Sequence, residues 1–119
     1  MPSEPNRFDK ELFTPYFEQW QQVREEIEAC YEQKDRRAVE LMEVAIGNYS
    51  ELLELGGTAV DDRKGQAAFV LLPLNGEERF QFVKDKISSH YAFVQLDALM
   101  AETKKKVARL AIQKIPRLK

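Results

Sequence analysis

The sequence predicts an all-α fold, a small helical bundle of about four principal helices. Apolar residues recur every three or four positions along most of the 119 residues, and helix-start and helix-end residues separate these periodic stretches. Hydrophobic residues make up 44% of the chain and charged residues 32%, which suits a packed core with a well-solvated exterior. A chain of this length is expected to form a single helical domain, 1–119, with frayed ends at 1–10 and 115–119.

The first helix is predicted to begin at Thr14-Pro15, where a hydroxyl can cap the helix and a proline in the first turn costs no hydrogen bond. It is expected to end near Gln33. One stripe of the helix is marked by residues at steps of four and three: Tyr16, Trp20, Val23, Ile27 and Cys30.

The second helix is predicted from Arg36 to about Glu54, with Asp35 as its cap. Its apolar positions cover more than one face, so it should be the most buried helix of the bundle. Gly47 weakens it by about 1 kcal/mol relative to alanine and is interpreted as a site where a neighbour approaches closely. Gly56-Gly57 should end it in a left-handed cap. The short connection favours an antiparallel pair with the first helix.

Residues 57–67 have no hydrophobic period and contain two glycines, so an irregular surface loop is predicted there. The apolar run 68–72 follows, and periodicity does not assign it. Either a helical turn or an extended segment lying across the bundle is compatible with its composition.

Asn75-Gly76 supports two interpretations. Asn-Gly between apolar runs is a strong hairpin signal, and Phe80 and Phe82 alternate as strand residues would. Alternatively, Asn75 with Glu78 three residues later resembles a capping box at a helix start. Glutamates in a first helical turn also suit the positive end of the helix dipole. We predict the helix, over residues 76–87.

The last helix should start at Ser88 or Ser89 and run to about Gln113, before Pro116. Gln95 lies among apolar neighbours, where an interhelical hydrogen bond would satisfy its amide. The predicted core stripe of this helix comprises Phe93, Leu96, Met100, Val107 and Leu110, with Tyr91, Leu99, Ala111 and Ile112 beside it.

Several classes of function have no support in the sequence. The single cysteine, Cys30, cannot form an intrachain disulfide. Neither a signal-peptide start nor a bilayer-length apolar run is present, so a cytoplasmic protein without membrane attachment is expected. The chain has no Glu-x-x-His pair, phosphate-binding glycine loop or nucleophile elbow. We therefore expect no metal, no cofactor and no enzymatic activity.

His90 is the chain's one histidine and hence the first candidate for a catalytic base. Its neighbours in sequence are serines and a tyrosine, so a carboxylate could orient it only through the fold. It also stands at a helix start, where the dipole disfavours an imidazolium. A structural or surface role for His90 is the preferred interpretation.

The charge is unevenly distributed. Residues 1–60 carry 6 Lys or Arg and 13 Asp or Glu, a net charge of −7, whereas residues 61–119 carry 12 and 7, a net charge of +5. Lys104, Lys105, Lys106 and Arg109 could meet phosphates. The three consecutive lysines, however, fan around a helical turn, and no aromatic residue lies between them. A solvated face is preferred, and a nucleic-acid partner is not expected.

The C-terminal half resembles the YpoC-like family of small proteins from Gram-positive bacteria. The resemblance lies in Asn75-x-x-Glu78-Arg79-Phe80-x-Phe82-Val83, in His90-Tyr91-x-Phe93-Val94-Gln95-Leu96 and in Lys104–Lys106, and more loosely in Trp20, Arg24, Glu25 and Ile27. It implies a cytoplasmic helical protein and transfers no catalytic residue. The matching positions to test for binding are Asn75, Arg79, His90, Tyr91 and Gln95.

The leading functional hypothesis is a non-enzymatic protein-interaction module. Its basis is the absence of catalytic constellations and an apparent surplus of aromatic residues: Tyr16, Phe17, Trp20, Tyr31, Tyr49, Tyr91 and Phe93. Trp20 joins the five family positions as a candidate binding residue. The partner would be an unidentified protein, a second copy included. The alternatives are an accessory protein that binds nucleic acid weakly through the basic last helix and, below that, an enzyme centred on His90.

Overall fold

A computed structural model describes residues 10–61 and 65–114, and only the backbone of residues 61 and 112–114. The elements in order are α1 (Lys10–Glu32), α2 (Arg37–Gly56), β1 (Thr58–Asp61), β2 (Gln66–Phe69), α3 (Gly76–Asp85) and α4 (His90–Lys114). The prediction of an all-α bundle with four principal helices is confirmed. Of the ends predicted to be frayed, residues 1–9 and 115–119 lie outside the described residues, and Lys10 is the first residue of α1.

Each helix contributes one face to a shared core. Helix α1 packs on α2 and α4, and α3 packs on the other side of α4. The shortest dimension of the backbone is 16 Å, which leaves room for two helix layers at the usual separation of about 8–10 Å. In a two-layer arrangement every helix keeps one side turned outward. Outer helix faces therefore have no neighbour among residues 10–61 and 65–114.

Helix α1 begins at Lys10, one turn before the predicted start, so the assignment of Thr14 as its cap is wrong. The Thr14 hydroxyl instead donates a hydrogen bond to the Lys10 carbonyl at 2.8 Å, and Pro15 lies inside the helix. The physical reason is burial. Phe13 is fully buried in the core, and extending the helix through that residue places its ring there.

The second helix lies close to its predicted bounds, and the Asp35 carboxylate accepts a hydrogen bond from the Arg37 backbone N–H at 2.9 Å, as expected of a cap. Gly57 follows the helix with φ 80° and ψ −178°, which is not the left-handed conformation, so the predicted left-handed cap is wrong. Gly47 departs from expectation. A methyl group there would meet no atom within 4 Å, because the residue faces outward, so the predicted close approach of a neighbour within the chain is wrong.

The segment predicted as an irregular loop, 57–67, contains most of a β-hairpin. Strands β1 and β2 pair antiparallel, from Thr58 opposite Phe69 to Asp61 opposite Gln66. Strands this short give little periodic signal, and two of them become stable only against another element. The half-buried Phe69 supplies that anchor by packing on the core. The run 68–72 is thus extended up to Phe69, and it then turns to bury Leu71 completely.

Helix α3 confirms the helical interpretation of residues 76–87, although it ends at Asp85. Asn75 adopts the left-handed conformation with φ 57°, and its side chain makes no capping hydrogen bond, so the capping box with Glu78 is wrong. Asparagine tolerates this conformation better than most residues. Gly76 is needed for space, because a Cβ there would lie 2.4 Å from Leu72 Cγ. The Asn-Gly pair therefore serves a tight helix start.

Helix α4 starts at His90, where the Ser89 hydroxyl accepts the Tyr91 N–H at 3.1 Å. Its predicted core residues Phe93, Leu96, Met100 and Val107 are buried. Thr103 is also fully buried, which the periodic pattern did not indicate. Its hydroxyl donates to the Leu71 carbonyl at 3.1 Å and therefore accepts from the Tyr49 hydroxyl at 2.7 Å. Burial raises the pKa of Tyr49 to about 12.

Candidate interaction site

An apolar groove runs along the outer side of the α1–α2 pair. We call it the α1–α2 groove; its volume is about 410 Å³, open to solvent. The side chains that line it come from α1, α2 and α4: Tyr16, Gln19, Trp20, Val23, Leu41, Val44, Ala45, Asn48 and Met100.

The floor of the groove is buried and its walls are partly exposed. Trp20, Ala45 and Met100 form the floor and belong to the buried core, with Trp20 only 3% exposed. Val44, in the middle of α2, is 58% exposed. The groove therefore exists without any rearrangement of the core.

The apolar surface continues beyond these lining residues. Leu12 precedes Tyr16 by one helical turn and is 45% exposed, and Leu55, two turns after Asn48, is 42% exposed. Helices α1 and α2 are joined by a short connection and run antiparallel, so both leucines lie at the same end. From Leu12 to Val23 the surface extends about 16 Å along α1, or three helical turns.

The border of the groove is acidic. Helical spacing places Glu26 next to Val23, and it places Glu40 and Glu51 on the row that carries Val44; all three glutamates are exposed. Arg37 lies on the same side of α2, but its guanidinium pairs with the Asp35 carboxylate at 3.1 Å. The three glutamates therefore give this border a negative charge that the adjacent Arg37–Asp35 pair does not offset.

Behind the groove, Asp97 of α4 holds Trp20 in place. Its carboxylate accepts the indole N–H of Trp20 at 2.8 Å and two N–H groups of Arg24, at 3.1 and 2.7 Å. Burial would raise the pKa of Asp97, but the hydrogen bonds from Arg24 and Trp20 outweigh it and hold the pKa below its usual value. This network fixes the orientation of the indole that forms the groove floor.

The Asp97 network should make the domain sensitive to acid. Because its folded-state pKa is lowered, Asp97 stabilises the fold fully above its unfolded-state pKa of 3.8, and this contribution is lost as the pH falls below that value. We expect the free energy of unfolding of the wild type to fall more between pH 6 and pH 3 than that of Asp97→Asn. Urea denaturation across this range measures it.

Glu43→Gln, which removes one exposed carboxylate, provides the matched control for that series. Its acid dependence should follow the wild type. Equal slopes for Asp97→Asn and the wild type would contradict a native-state role for the Asp97 charge.

Two predicted candidates, Arg79 and Gln95, meet in a contact between α3 and α4. Arg79 Nε donates to Gln95 Oε1 at 2.8 Å, which is the interhelical bond expected for Gln95. The other Arg79 nitrogens bind both carboxylate oxygens of Glu102 at 2.8 Å and the Leu74 carbonyl at 3.2 Å. These bonds occupy most of the guanidinium donors, so Arg79 serves to hold α3 against α4.

His90, Tyr91 and Asn75 lie apart from the groove. The His90 ring stacks on Phe93 with centroids 5.7 Å apart, and its Nε2 lies 3.6 Å from the Glu28 carboxylate. Tyr91 is 72% exposed, and Asn75 is exposed at the start of α3. Of the six candidate binding residues, Trp20 alone is among the groove lining. The six do not form one site.

The four candidate phosphate-binding residues of α4, Lys104, Lys105, Lys106 and Arg109, do not share one face either. Lys106 turns inward and donates to the Leu72 carbonyl at 3.0 Å, and burial together with nearby Arg109 lowers its pKa. Lys104, Lys105 and Arg109 are exposed, and Lys104 lies on the α1 side, near Phe17.

The core absorbs most of the apparent aromatic surplus. Phe17, Trp20, Tyr49 and Phe93 are buried, and Tyr16 and Tyr31 are partly buried. Most of the surplus therefore serves the core, although Tyr16 and Trp20 also line the α1–α2 groove beside the aliphatic Val44. Sequence reasoning missed Val44, since the apolar pattern of α2 was used only to predict its buried positions and Val44 was not counted among them.

Among residues 10–61 and 65–114, no cluster of His, Cys, Asp or Glu could hold a metal ion. In the same part of the chain, no helix has the length and apolar character required to span a bilayer. The model of the family described as YpoC-like protein matches residues 10–115, almost the whole chain. No curated protein and no solved structure matches the chain.

Proposed function

The chain belongs to the YpoC-like protein family, and we propose that it is a non-enzymatic interaction module of the cytoplasm that binds a helical segment of a partner protein in the α1–α2 groove. The single observation that carries this proposal is the preformed apolar groove with the exposed Val44 in its wall. Grooves of this kind receive the apolar face of an amphipathic helix, with anchors spaced along three or four turns.

The polar side chains support a binding role over a catalytic one. Arg79 bonds Gln95 and Glu102, and Asp97 bonds Trp20 and Arg24. A catalytic group must be free to form a hydrogen bond with a substrate, whereas these groups are engaged in hydrogen bonds between helices. The basic residues of α4 lie on different sides of the helix, and phosphate binding requires cations on one continuous surface. Their placement therefore also favours a protein partner over nucleic acid.

Val44→Glu tests the proposal, because it places a charge in the groove wall at an exposed position that the fold tolerates. We expect it to abolish capture of the partner from a cytoplasmic extract of the source organism, with the melting temperature changed little. Binding should fall by about tenfold or more, since a buried unpaired carboxylate costs at least 1–3 kcal/mol.

Leu74→Glu is the matched control, since Leu74 is 81% exposed and is not among the groove-lining residues. It should capture the same proteins as the wild type. If Val44→Glu also captured them undiminished, the groove would not be the binding surface.

A further inference from the structure

Resting on the proposed function, we infer that the occupant of the α1–α2 groove is a basic amphipathic helix of a partner protein. The segment would present an aliphatic stripe to the floor and lysines or arginines on its flanks. Two features of the groove beyond its apolar lining carry this inference: the charge of its border and the open position at Gly47.

The charge of the border selects for cations. Glu26 stands on the α1 side, and Glu40 and Glu51 stand on the α2 side, so a bound helix would have carboxylates along both flanks. An acidic helix would be repelled from both sides, whereas lysines or arginines flanking the apolar stripe would reach the glutamates. Complementary charge of this kind sets specificity and speeds association.

Gly47 gives the occupant room to approach the α2 wall. It lies one turn after Val44 on the outer side of α2, and no atom lies within 4 Å of the position of its missing side chain. A glycine inside a helix is unfavourable, and nothing among the described residues requires this one. Close approach of a partner would explain why a glycine stands at this position, which packing within the chain does not explain.

The apolar lining sets the pattern of the occupant. The exposed surface from Leu12 to Val23 covers about three turns, so the occupant needs apolar residues at i, i+4, i+7 and i+11. The amides of Gln19 and Asn48 lie among the lining residues and can donate to or accept from polar side chains at the edge of that stripe.

Three synthetic 18-residue helical peptides test the inference. All carry leucine at i, i+4, i+7 and i+11, and the flanking positions carry lysine, glutamine or glutamate. We expect fluorescence anisotropy with the full chain to show the lysine peptide bound about tenfold tighter than the glutamine peptide, and the glutamate peptide bound weakest. The preference should shrink as salt is raised from 20 mM toward about 500 mM.

Two charge variants of the chain show which glutamates cause the preference for the lysine peptide. The triple variant Glu26→Gln, Glu40→Gln, Glu51→Gln should lose the preference for the lysine peptide. A triple variant with the same change in net charge, Glu18→Gln, Glu25→Gln, Glu32→Gln, should keep it, because these exposed residues lie on other rows of α1. Gly47→Gln should raise the melting temperature and weaken binding of all peptides.

The outcomes separate the two proposals. Equal binding of the lysine, glutamine and glutamate peptides, or a preference that survives in the groove triple variant, overturns the basic occupant and leaves the groove as a binding site. Failure of all three peptides to bind overturns the proposed function as well. Concentration-dependent dimerisation of the chain that Val44→Glu abolishes would identify a second copy as the occupant and overturn the basic helix.

Discussion

Trp20→Ala is expected to lower the free energy of unfolding by about 3–5 kcal/mol, the usual cost of truncating a large aromatic residue in a core. Trp20 is 3% exposed, its ring centroid lies 5.7 Å from that of Phe93, and its N–H is bonded to Asp97. Removal leaves a cavity between α1 and α4 and also takes one donor from a partly buried carboxylate. Urea denaturation followed by circular dichroism measures the loss.

Trp20→Phe separates the two contributions. It keeps most of the ring packing and removes the indole N–H, so the expected loss is smaller, about 1–3 kcal/mol. A loss of about 0.5 kcal/mol or less for Trp20→Ala would instead describe a surface residue and would contradict this core. Because Trp20 is part of the fold, binding through the groove is better tested at Val44.

Leu71→Ala is expected to cost about 2–5 kcal/mol, although Leu71 lies in a connection and not in a helix or strand. Its side chain is fully buried and occupies the space next to Gly56, where a Cβ would lie 2.5 Å from Leu71 Cδ1. The residue thereby fixes the hairpin and the connection to α3 against the end of α2. Thermal unfolding of the variant measures the effect.

Gly56→Ala provides the reciprocal test. Alone it should destabilise by about 1–3 kcal/mol, because the added methyl group collides with Leu71. In the double variant the methyl group enters space that Leu71→Ala vacates, so the combined loss should be smaller than the sum of the single losses. Additive losses would show that the two positions are not in contact.

Helical periodicity was sufficient to predict α1, α2 and α4, because each of these helices is longer than five turns and its apolar stripe repeats from turn to turn. The start of α1 was misplaced for a specific reason. Thr14-Pro15 has the composition of a helix start, but the burial of Phe13 outweighs the hydrogen bond that Pro15 cannot make. The hairpin of β1 and β2 was missed because strand pairing is not local and each strand has only four residues.

For the candidate site, the sequence predicted some features and missed others. The sequence placed Trp20 on a core stripe and expected an interhelical bond from Gln95, and the structure supplies both. The sequence did not reveal that Glu102 would bind the Arg79 guanidinium or that Asp97 would bind the Trp20 indole, because these partners are 23 and 77 residues apart in the chain. Pairing across such separations depends on how helices are placed.

By itself the sequence determined the number of helices, their approximate limits and the main core stripe of each long helix, since helix formation depends on neighbours within four residues. Only the tertiary structure decided which apolar residues stay uncovered. Val44 and Ala45 are adjacent apolar residues of one helix, yet Ala45 is 5% exposed and Val44 58%. The difference arises because α4 packs over the floor of the α1–α2 groove and no described element covers its outer wall.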